Sequence, residues 1–176
     1  MSSHLELTVA IIKPHAIKVP RILKGIQDII LANGFYVVKS KHERMTNPIA
    51  ELFYDEHKNK FFYGRLITLM TSGPSQMLIL GKHNAILSWR EIMGPTKVAR
   101  AQLTHPDTIR GKYGLTDTRN ATHGSDSTES TEREMSILFP KFDFKAWYRE
   151  DEPHFRNANV HLDKENFEHR INSKVE

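Results

Sequence analysis

Leucine, valine and isoleucine occupy every second position at the start of the chain, between residues 5 and 11. A period of two is the pattern of a β-strand, so a strand is predicted there. Pro14 cannot donate a backbone hydrogen bond and therefore ends the strand. Lys13 is expected at the strand terminus, either facing a ligand or as a solvated lysine at the sheet edge.

A helical pattern follows this strand. Pro20 suits the first turn of a helix, Asn33 and Gly34 suit its end, and isoleucines between them share one face. Further along, short apolar runs rich in β-branched or aromatic residues predict strands, and other segments bounded by capping and stop residues predict helices. The predicted strands are residues 35–41, 66–70 and 77–80, and the predicted helices are residues 46–57, 84–93 and 127–139.

Strands and helices alternate along the chain, with one pair of strands in the middle. Four short strands with helices on one side are typical of a split βαβ arrangement, the ferredoxin-like α/β sandwich with a four-stranded antiparallel sheet. Residues 1–140 are expected to form this domain. Residues 141–176 are a charged C-terminal extension with scattered aromatics. Its first part is expected to dock on the domain, and its end, after about Arg156, to be mobile.

Composition narrows the class of protein. The 176 residues, 39% apolar and 26% charged, suit one soluble globular domain with a tail. No apolar run approaches the roughly 20 residues that span a bilayer, and the first residues predict no targeting peptide. Cysteine is absent, which excludes disulfides and thiolate metal sites. The net charge of +4 suits a polyanionic ligand such as a nucleotide but does not exclude nucleic acid.

The stretch from residue 120 to residue 130 holds one histidine, His123, among small polar residues. Gly124 would let the backbone come close to a bulky ligand. Asp126 and Glu129 have the spacing of a capping box, and the start of a helix attracts anions. The stretch therefore predicts an imidazole beside a phosphate site, although a histidine in a turn before a capped helix is the simpler alternative.

Other side chains along the chain suit phosphate chemistry. Lysine and arginine bind phosphate oxygens, and residues 96–110, which show no clear period, predict a long basic loop of the kind that is often functional. A neutral imidazole can attack phosphorus, and a carboxylate such as Glu134 would orient it if the helix leans over the ring. The sequence does not decide which ring nitrogen attacks. The candidate residues are Lys13, Arg90, Thr96, Arg110, Asn120, His123, Ser125 and Glu134.

Six stretches, taken in order, match a known family. They are Ile12-Lys13-Pro14, Phe61-Phe62, Ser72-Gly73-Pro74, Met93-Gly94-Pro95-Thr96, Thr108-Ile109-Arg110-Gly111 and Arg119-Asn120-Ala121-Thr122-His123-Gly124-Ser125-Asp126-Ser127. Over about residues 5–140 the chain resembles the nucleoside diphosphate kinases. The resemblance implies the ferredoxin-like fold. It also implies transfer of the terminal phosphate of a nucleoside triphosphate to a nucleoside diphosphate through phosphohistidine, with Mg²⁺ on the nucleotide's phosphates.

The resemblance also implies roles for individual residues. His123 matches the nucleophile, and Ser125 and Glu134 match the groups that support it. Asn120 matches a sugar contact, and Phe61 matches the aromatic residue that stacks on the base, which would tolerate every base. The phosphate binders of the family are matched by Lys13, Arg90, Thr96 and Arg110.

The chain departs from the family pattern near the base and in one loop. Either Phe53 or Tyr54 takes the place of a family tyrosine, Asp117 replaces an apolar residue that backs the base, and Arg65 replaces a leucine near it. Residues 96–110 are about three residues longer than usual. In the family that loop helps to build trimers and hexamers, so the sequence does not decide whether this protein forms a homo-oligomer.

Three hypotheses about function follow. The first is an active nucleoside diphosphate kinase. The second is a nucleotide-binding or scaffold protein with little or no turnover, acting through a protein partner. The third and weakest is a nucleic-acid binder, which would show a steep salt dependence. The resemblance allows a location in the cytoplasm or the mitochondrion, and no membrane partner is expected.

Overall fold

A four-stranded antiparallel sheet organises the protein. The computed structural model describes residues 4–173 of the chain. The strands lie in the order β2-β3-β1-β4, so the first strand is central and the last is an edge strand. This confirms the ferredoxin-like α/β sandwich. The strands are β1 (Glu6–Ile12), β2 (Tyr36–Glu43), β3 (Ser75–Lys82) and β4 (Thr122–Gly124).

Helices fill most of the connections between the strands. None of the helices within residues 4–173 is both long and apolar enough to cross a membrane. The predicted helices near residues 20–33, 84–93 and 127–139 are confirmed. The helices are α1 (Pro14–Ile17), α2 (Pro20–Ala32), α3 (Asn47–Phe53), α4 (Tyr63–Met70), α5 (Ala85–Met93), α6 (Val98–Thr104), α7 (Ile109–Tyr113), α8 (Thr128–Leu138), α9 (Phe144–Glu150) and α10 (Glu152–Arg156).

The helices cover both faces of the sheet, not one face as the sequence predicted. Val9 and Ile11 of β1 face a core that includes residues of α3, α4 and α8, whereas Ala10 and Ile12 face a second core with α2, α5 and α7. Side chains on a strand alternate between faces, so a strand buried on both sides needs apolar residues at nearly every position. Residues 9–12 meet that requirement.

The strand predicted at residues 66–70 is wrong, because these residues form the C-terminal half of α4. Leu66, Leu69 and Met70 are buried on one side of that helix, at helical spacing. A short apolar run does not distinguish a strand from a buried helical turn. The fourth strand is β4, which carries His123 opposite Ile11 of β1 and spans only three residues.

Residues 96–110 are not the long loop that the sequence predicted. Most of them form α6 and the start of α7. Val98 and Ala101 are buried on one side of α6, and the Thr108 side chain accepts a hydrogen bond from the Gly111 backbone N–H as the cap of α7. Helices this short show too few turns for their period to be visible in the sequence.

The C-terminal extension lies against the domain and covers the free edge of β2. In place of the mobile segment expected after Arg156, strands β5 (Val160–Asp163) and β6 (Glu168–Ile171) form a hairpin. His169 accepts a hydrogen bond from the Val37 N–H at 2.9 Å, and Glu168 accepts one from the Ser40 N–H at 3.1 Å. These acceptors satisfy donors that an open sheet edge would leave unpaired. Residues 174–176 lie outside the described part of the chain.

Glu152 fastens the extension to the start of the chain, and its loss is expected to destabilise the protein. Its buried carboxylate accepts a hydrogen bond from the Leu5 N–H at 2.9 Å. In Glu152→Ala this buried N–H loses its partner, which should lower the free energy of unfolding by about 1–3 kcal/mol. Urea denaturation measures the loss. The exposed Glu150→Ala is the matched control, and an equal effect of the two changes would contradict the anchoring role.

Candidate active site

A cavity of about 290 Å³ opens beside β4, between α3, α8 and the segment from α5 to α7. It brings together seven of the nine side chains that the sequence proposed for the site, although they are spread over more than a hundred residues of chain. The seven are Lys13, Arg90, Thr96, Arg110, Asn120, His123 and Glu134, and Ser125 and Phe61 do not line the cavity.

His123 lies at the centre of β4 with its ring in this cavity. Its Nε2 is hydrogen-bonded to the Glu134 carboxylate, because α8 passes over the ring. A carboxylate only accepts hydrogen bonds, so Nε2 carries the hydrogen and Nδ1 keeps its lone pair. Nδ1 makes no hydrogen bond within residues 4–173 and is the nitrogen available to an electrophile.

Two aromatic rings form the wall behind the imidazole. Phe53 and Tyr54 contact the His123 ring edge-on, with centroids 5.0 and 6.1 Å away. Both side chains therefore border the histidine. The question that the sequence left open is only which of the two, Phe53 or Tyr54, matches the family tyrosine. Burial, and secondarily the charge of Glu134, raises the pKa of Tyr54 well above its usual range, so the hydroxyl stays neutral.

Packing behind β4 fixes the backbone of the histidine. Trp89 of α5 donates a hydrogen bond from Nε1 to the His123 carbonyl oxygen at 3.1 Å. A Cβ at Gly124 would lie 2.5 Å from Cδ1 of Trp89 and 2.7 Å from Cε of Met93. The missing side chain at Gly124 therefore makes room for the core side chains Trp89 and Met93. The sequence had instead suggested that it makes room for a ligand.

Arg110 joins two segments that border the cavity. Its guanidinium donates to the carbonyl oxygen of Gly94 at 2.9 Å and to that of Thr122 at 3.1 Å. Burial, with a smaller contribution from the neighbouring Arg90, lowers the pKa of Arg110 to about 10, which leaves it charged at neutral pH. Two cationic side chains held close together favour a polyanionic ligand between them.

Lys13 is the buried cation of the site. Its Nζ donates to Oδ1 of Asn120 at 2.7 Å and to the carbonyl oxygen of Thr118 at 3.3 Å. Burial is the main cause that lowers the pKa of Lys13 to about 7, and the positive charge of Arg110 adds to it. No carboxylate balances this ammonium group within residues 4–173, so an anionic ligand is its natural partner.

Ser125 and Phe61 are not among the residues that line the cavity. The Ser125 hydroxyl accepts a hydrogen bond from the Val9 N–H at 3.1 Å and contacts neither His123 nor Glu134 by a hydrogen bond. Phe61 is 85% exposed, and the Arg65 guanidinium lies 5.7 Å from its ring centroid. Phe62, the next residue, lines the cavity instead.

The cap of α8 also differs from its prediction by one residue. Ser127, not Asp126, is the N-cap, and its hydroxyl accepts a hydrogen bond from the Ser130 N–H at 3.1 Å. Asp126 accepts a hydrogen bond from the Ser130 hydroxyl at 2.6 Å and lines the cavity. Adjacent Ser, Asp and Thr residues are all good caps, so their order alone does not select one.

Sequence reasoning missed two side chains that shape the site. Arg133 lines the cavity beside Glu134 and donates to the Phe53 carbonyl oxygen at 3.3 Å. His15 accepts a hydrogen bond from the Ala121 N–H at 3.1 Å and thereby holds a residue with φ of 72°. Helical spacing from Ser130 would have pointed to Arg133, but nothing in the sequence indicates a left-handed alanine.

Both cationic and anionic side chains line the cavity. Residues 4–173 contain no group of three or more histidine, aspartate or glutamate side chains placed to hold a metal ion. The cavity is lined by four cationic side chains, whose ammonium and guanidinium groups fit phosphate oxygens, and by four carboxylates that are spread around it. The cations are Lys13, Arg90, Arg110 and Arg133, and the carboxylates are Glu56, Asp117, Asp126 and Glu134. The site therefore suits a phosphate-bound Mg²⁺ better than a cation held by protein carboxylates alone.

The fold and this site define an α/β protein built to bind phosphate groups beside a histidine. The chain belongs to the nucleoside diphosphate kinase family, because the family model described as Nucleoside diphosphate kinase matches residues 6–144. Within the family it falls in a divergent branch that resembles nucleoside diphosphate kinase 6. The protein of that name from Xenopus tropicalis is 47% identical over 167 residues, which are 95% of this chain and 93% of the relative.

Solved structures agree with this assignment. The nucleoside diphosphate kinase of Aquifex aeolicus is 36% identical, with a TM-score of 0.74, and the match covers 77% of this chain and 95% of that one. The halophilic enzyme from Halobacterium salinarum, solved in complex with CDP, is 30% identical, with a TM-score of 0.72 and coverage of 82% and 99%.

Proposed function

We propose that this protein transfers the terminal phosphate of a nucleoside triphosphate to a nucleoside diphosphate through phosphorylated His123. The observation that carries the proposal is the state of the imidazole. Its Nε2 is occupied by Glu134, its Nδ1 makes no hydrogen bond within residues 4–173, and the residue lines a cavity bordered by Lys13, Arg90 and Arg110. An unprotonated nitrogen beside clustered cations is what attack on a bound phosphate group requires.

The reaction would proceed in two half-reactions. The Nδ1 lone pair of His123 attacks the terminal phosphorus, and the nitrogen–phosphorus bond forms as the bond from phosphorus to the bridging oxygen breaks. The nucleoside diphosphate leaves with that electron pair. Glu134 accepts the hydrogen bond from Nε2 and offsets the positive charge that develops on the ring. A terminal oxygen of a second diphosphate then attacks phosphorus, and the electron pair returns to Nδ1.

The cationic side chains would hold the phosphates in line with Nδ1. Arg110 is fixed by two backbone carbonyls and Lys13 by Asn120, so neither side chain has to reorganise when the nucleotide arrives. Thr96 adds a hydroxyl at the cavity wall. Mg²⁺, bound to the nucleotide's phosphates, would neutralise part of their charge.

A nucleotide-binding protein with little turnover is the second candidate. The observation that favours it is Ser125, whose hydroxyl accepts a hydrogen bond from the Val9 N–H and makes none with His123 or Glu134. A coupled assay with ATP, Mg²⁺ and a second diphosphate separates the candidates. Turnover together with an acid-labile, base-stable phosphate on the protein supports the kinase, whereas ADP binding without either result supports the second candidate.

Nucleotide affinity is expected to weaken as the pH rises above 7. The pKa of Lys13 is lowered to about 7, so in the free protein the side chain loses its charge through this range. An anion favours the protonated form, so the affinity is highest below that pKa and falls by up to about tenfold per pH unit above it. Phosphate groups, with a pKa near 6, are already ionised there.

Calorimetric titration of ADP between pH 7 and pH 9 measures this dependence. Lys13→Arg is the matched variant, because guanidinium keeps its charge over the whole range. Its affinity should be nearly independent of pH. If both proteins show the same slope, Lys13 is not the group that titrates.

A further inference from the structure

The backbone makes a strained turn two residues before His123. Ala121 has a φ of 72°, and the Thr122 N–H donates a hydrogen bond to the Asn120 carbonyl oxygen at 3.0 Å. A hydrogen bond that spans three residues defines a γ-turn, and its form with positive φ is rare and strained. The left-handed region is unfavourable for a residue with a Cβ, so contacts with the rest of the protein have to hold Ala121 there.

Two hydrogen bonds fasten this turn to the segment that follows β1. The Ala121 N–H donates to Nε2 of His15 at 3.1 Å, and the Ala121 carbonyl oxygen accepts from the Lys13 N–H at 2.9 Å. The second bond joins backbone groups and does not depend on a side chain. The first depends on the imidazole, which supplies the acceptor for the N–H of a fully buried residue.

The His15 imidazole is suited to accept this hydrogen bond at neutral pH. Only an unprotonated ring nitrogen accepts, so the ring has to be neutral. Burial is the main cause that lowers the pKa of His15 to about 4, and the positive charges of Lys13 and Arg119 add to it. A backbone hydrogen bond with Arg119 opposes these effects more weakly. The ring is therefore a neutral acceptor at pH 7.

The turn sets the course of the chain through the site. Before it, Oδ1 of Asn120 accepts a hydrogen bond from Lys13, and after it the Thr122 carbonyl oxygen accepts one from Arg110. Thr122 is the first residue of β4, so His123 follows the turn almost directly. A change in φ within the turn would rotate the backbone that carries the imidazole, and a displacement of about 1 Å can cost about 100-fold in rate.

We propose that His15 is a positioning residue for His123: by accepting the Ala121 N–H, its imidazole keeps the turn in the conformation that aims Nδ1 of His123 at the terminal phosphate. This inference rests on the phosphate transfer proposed above. His15 does not line the cavity, so it acts through the backbone and not by touching the nucleotide. Its loss should slow the transfer more than it weakens binding, because Lys13 and Arg110 have further contacts outside the turn.

A pair of amide variants tests the contact. Glutamine places its side-chain oxygen near the position of Nε2, whereas asparagine ends near that of Nδ1 and does not reach the Ala121 N–H. A single turnover with ATP labelled in its terminal phosphate measures the rate of His123 phosphorylation, and calorimetric titration measures the affinity for ADP. His15→Asn is expected to lower the rate by about 10- to 100-fold and the affinity by less than about threefold. His15→Gln should keep the rate within about fivefold of the original.

The ring nitrogens of His123 give a second readout, which needs no turnover. In the unaltered protein Nε2 carries the hydrogen and contacts Glu134, so the two nitrogens should have well-separated chemical shifts in the NMR spectrum of isotope-labelled protein. If the turn relaxes, the contact with Glu134 loosens, the two tautomers mix and the two shifts converge. This convergence is expected in His15→Asn and not in His15→Gln.

An unchanged rate in His15→Asn would overturn the proposal, and so would a His15→Gln protein as slow as His15→Asn. A loss of ADP affinity in His15→Asn as large as the loss of rate would also overturn it, because His15 would then support only the fold of the site. If the unaltered protein transfers no phosphate, the kinase activity is refuted. In that case the nitrogen shifts of His123 decide the role of His15: convergence in His15→Asn alone upholds it, and any other pattern refutes it.

Discussion

His123→Asn is expected to lower phosphate transfer by on the order of 10⁴- to 10⁶-fold, the effect of removing a covalent nucleophile. An asparagine side chain ends near the position of the ring's Nδ1, so the variant removes the attacking nitrogen together with the Nε2 contact to Glu134. The phosphate label on the protein should disappear together with turnover. Both results are measured with ATP labelled in its terminal phosphate.

The affinity of His123→Asn for ADP shows whether the variant has lost only its reactive group or also its folded site. The cations that would hold the phosphates are unaltered, so the affinity of His123→Asn for ADP should stay within about threefold of the original. His161→Asn, an exposed position of β5, is the matched control and should keep both the label and the turnover. A label that persists in His123→Asn would place the phosphate on another residue and refute the mechanism.

Trp89→Ala is expected to lower the free energy of unfolding by about 3–5 kcal/mol, the range for truncating a buried tryptophan. The side chain is fully buried, packs edge-on against Phe35 with centroids 6.0 Å apart, and hydrogen-bonds the His123 carbonyl oxygen. Because it supports β4 from behind, its loss should also reduce activity through the position of the imidazole. Urea denaturation followed by circular dichroism gives the stability.

Two further variants resolve the contributions of the Trp89 side chain. Trp89→Phe keeps an aromatic ring but removes the donor to His123, which should cost roughly 1–3 kcal/mol. Leu87→Ala lies on the same helix with 61% of the leucine exposed and should change stability by less than about 0.5 kcal/mol. A loss in Trp89→Ala no greater than in Leu87→Ala would show that β4 does not depend on this packing.

Local patterns predicted the elements whose burial is one-sided or whose ends are marked. The isoleucines of α2 and the Pro20 before them are sufficient to define that helix. The end of β1 is marked by Pro14, and its alternating leucine, valine and isoleucine predicted the strand even though it is buried on both faces. The same approach failed where several structures satisfy one pattern. Residues 66–70 are equally apolar in a strand or in a helical turn, and only packing against the core selects the helix.

Short elements also escaped prediction because the energy that forms them is not local. β4 has three residues, and its hydrogen bonds go to β1, more than a hundred residues earlier. The hairpin of β5 and β6 packs against β2 through Glu168 and His169, which in sequence are polar residues of a charged tail. A pattern of polarity cannot show which distant backbone donors such side chains will satisfy.

The sequence by itself determined the family, the class of fold and the types of side chain that suit phosphate, because these depend on residue identity and on short-range spacing. Only the tertiary structure decided that seven candidates border one cavity, that Nδ1 of His123 is the open nitrogen, and that Phe61 is exposed and does not line the cavity. It also decided that Gly124 makes room for Trp89 and not for a ligand. The reason is physical: a hydrogen bond, a lowered pKa or a close approach depends on the distance between atoms that are remote along the chain.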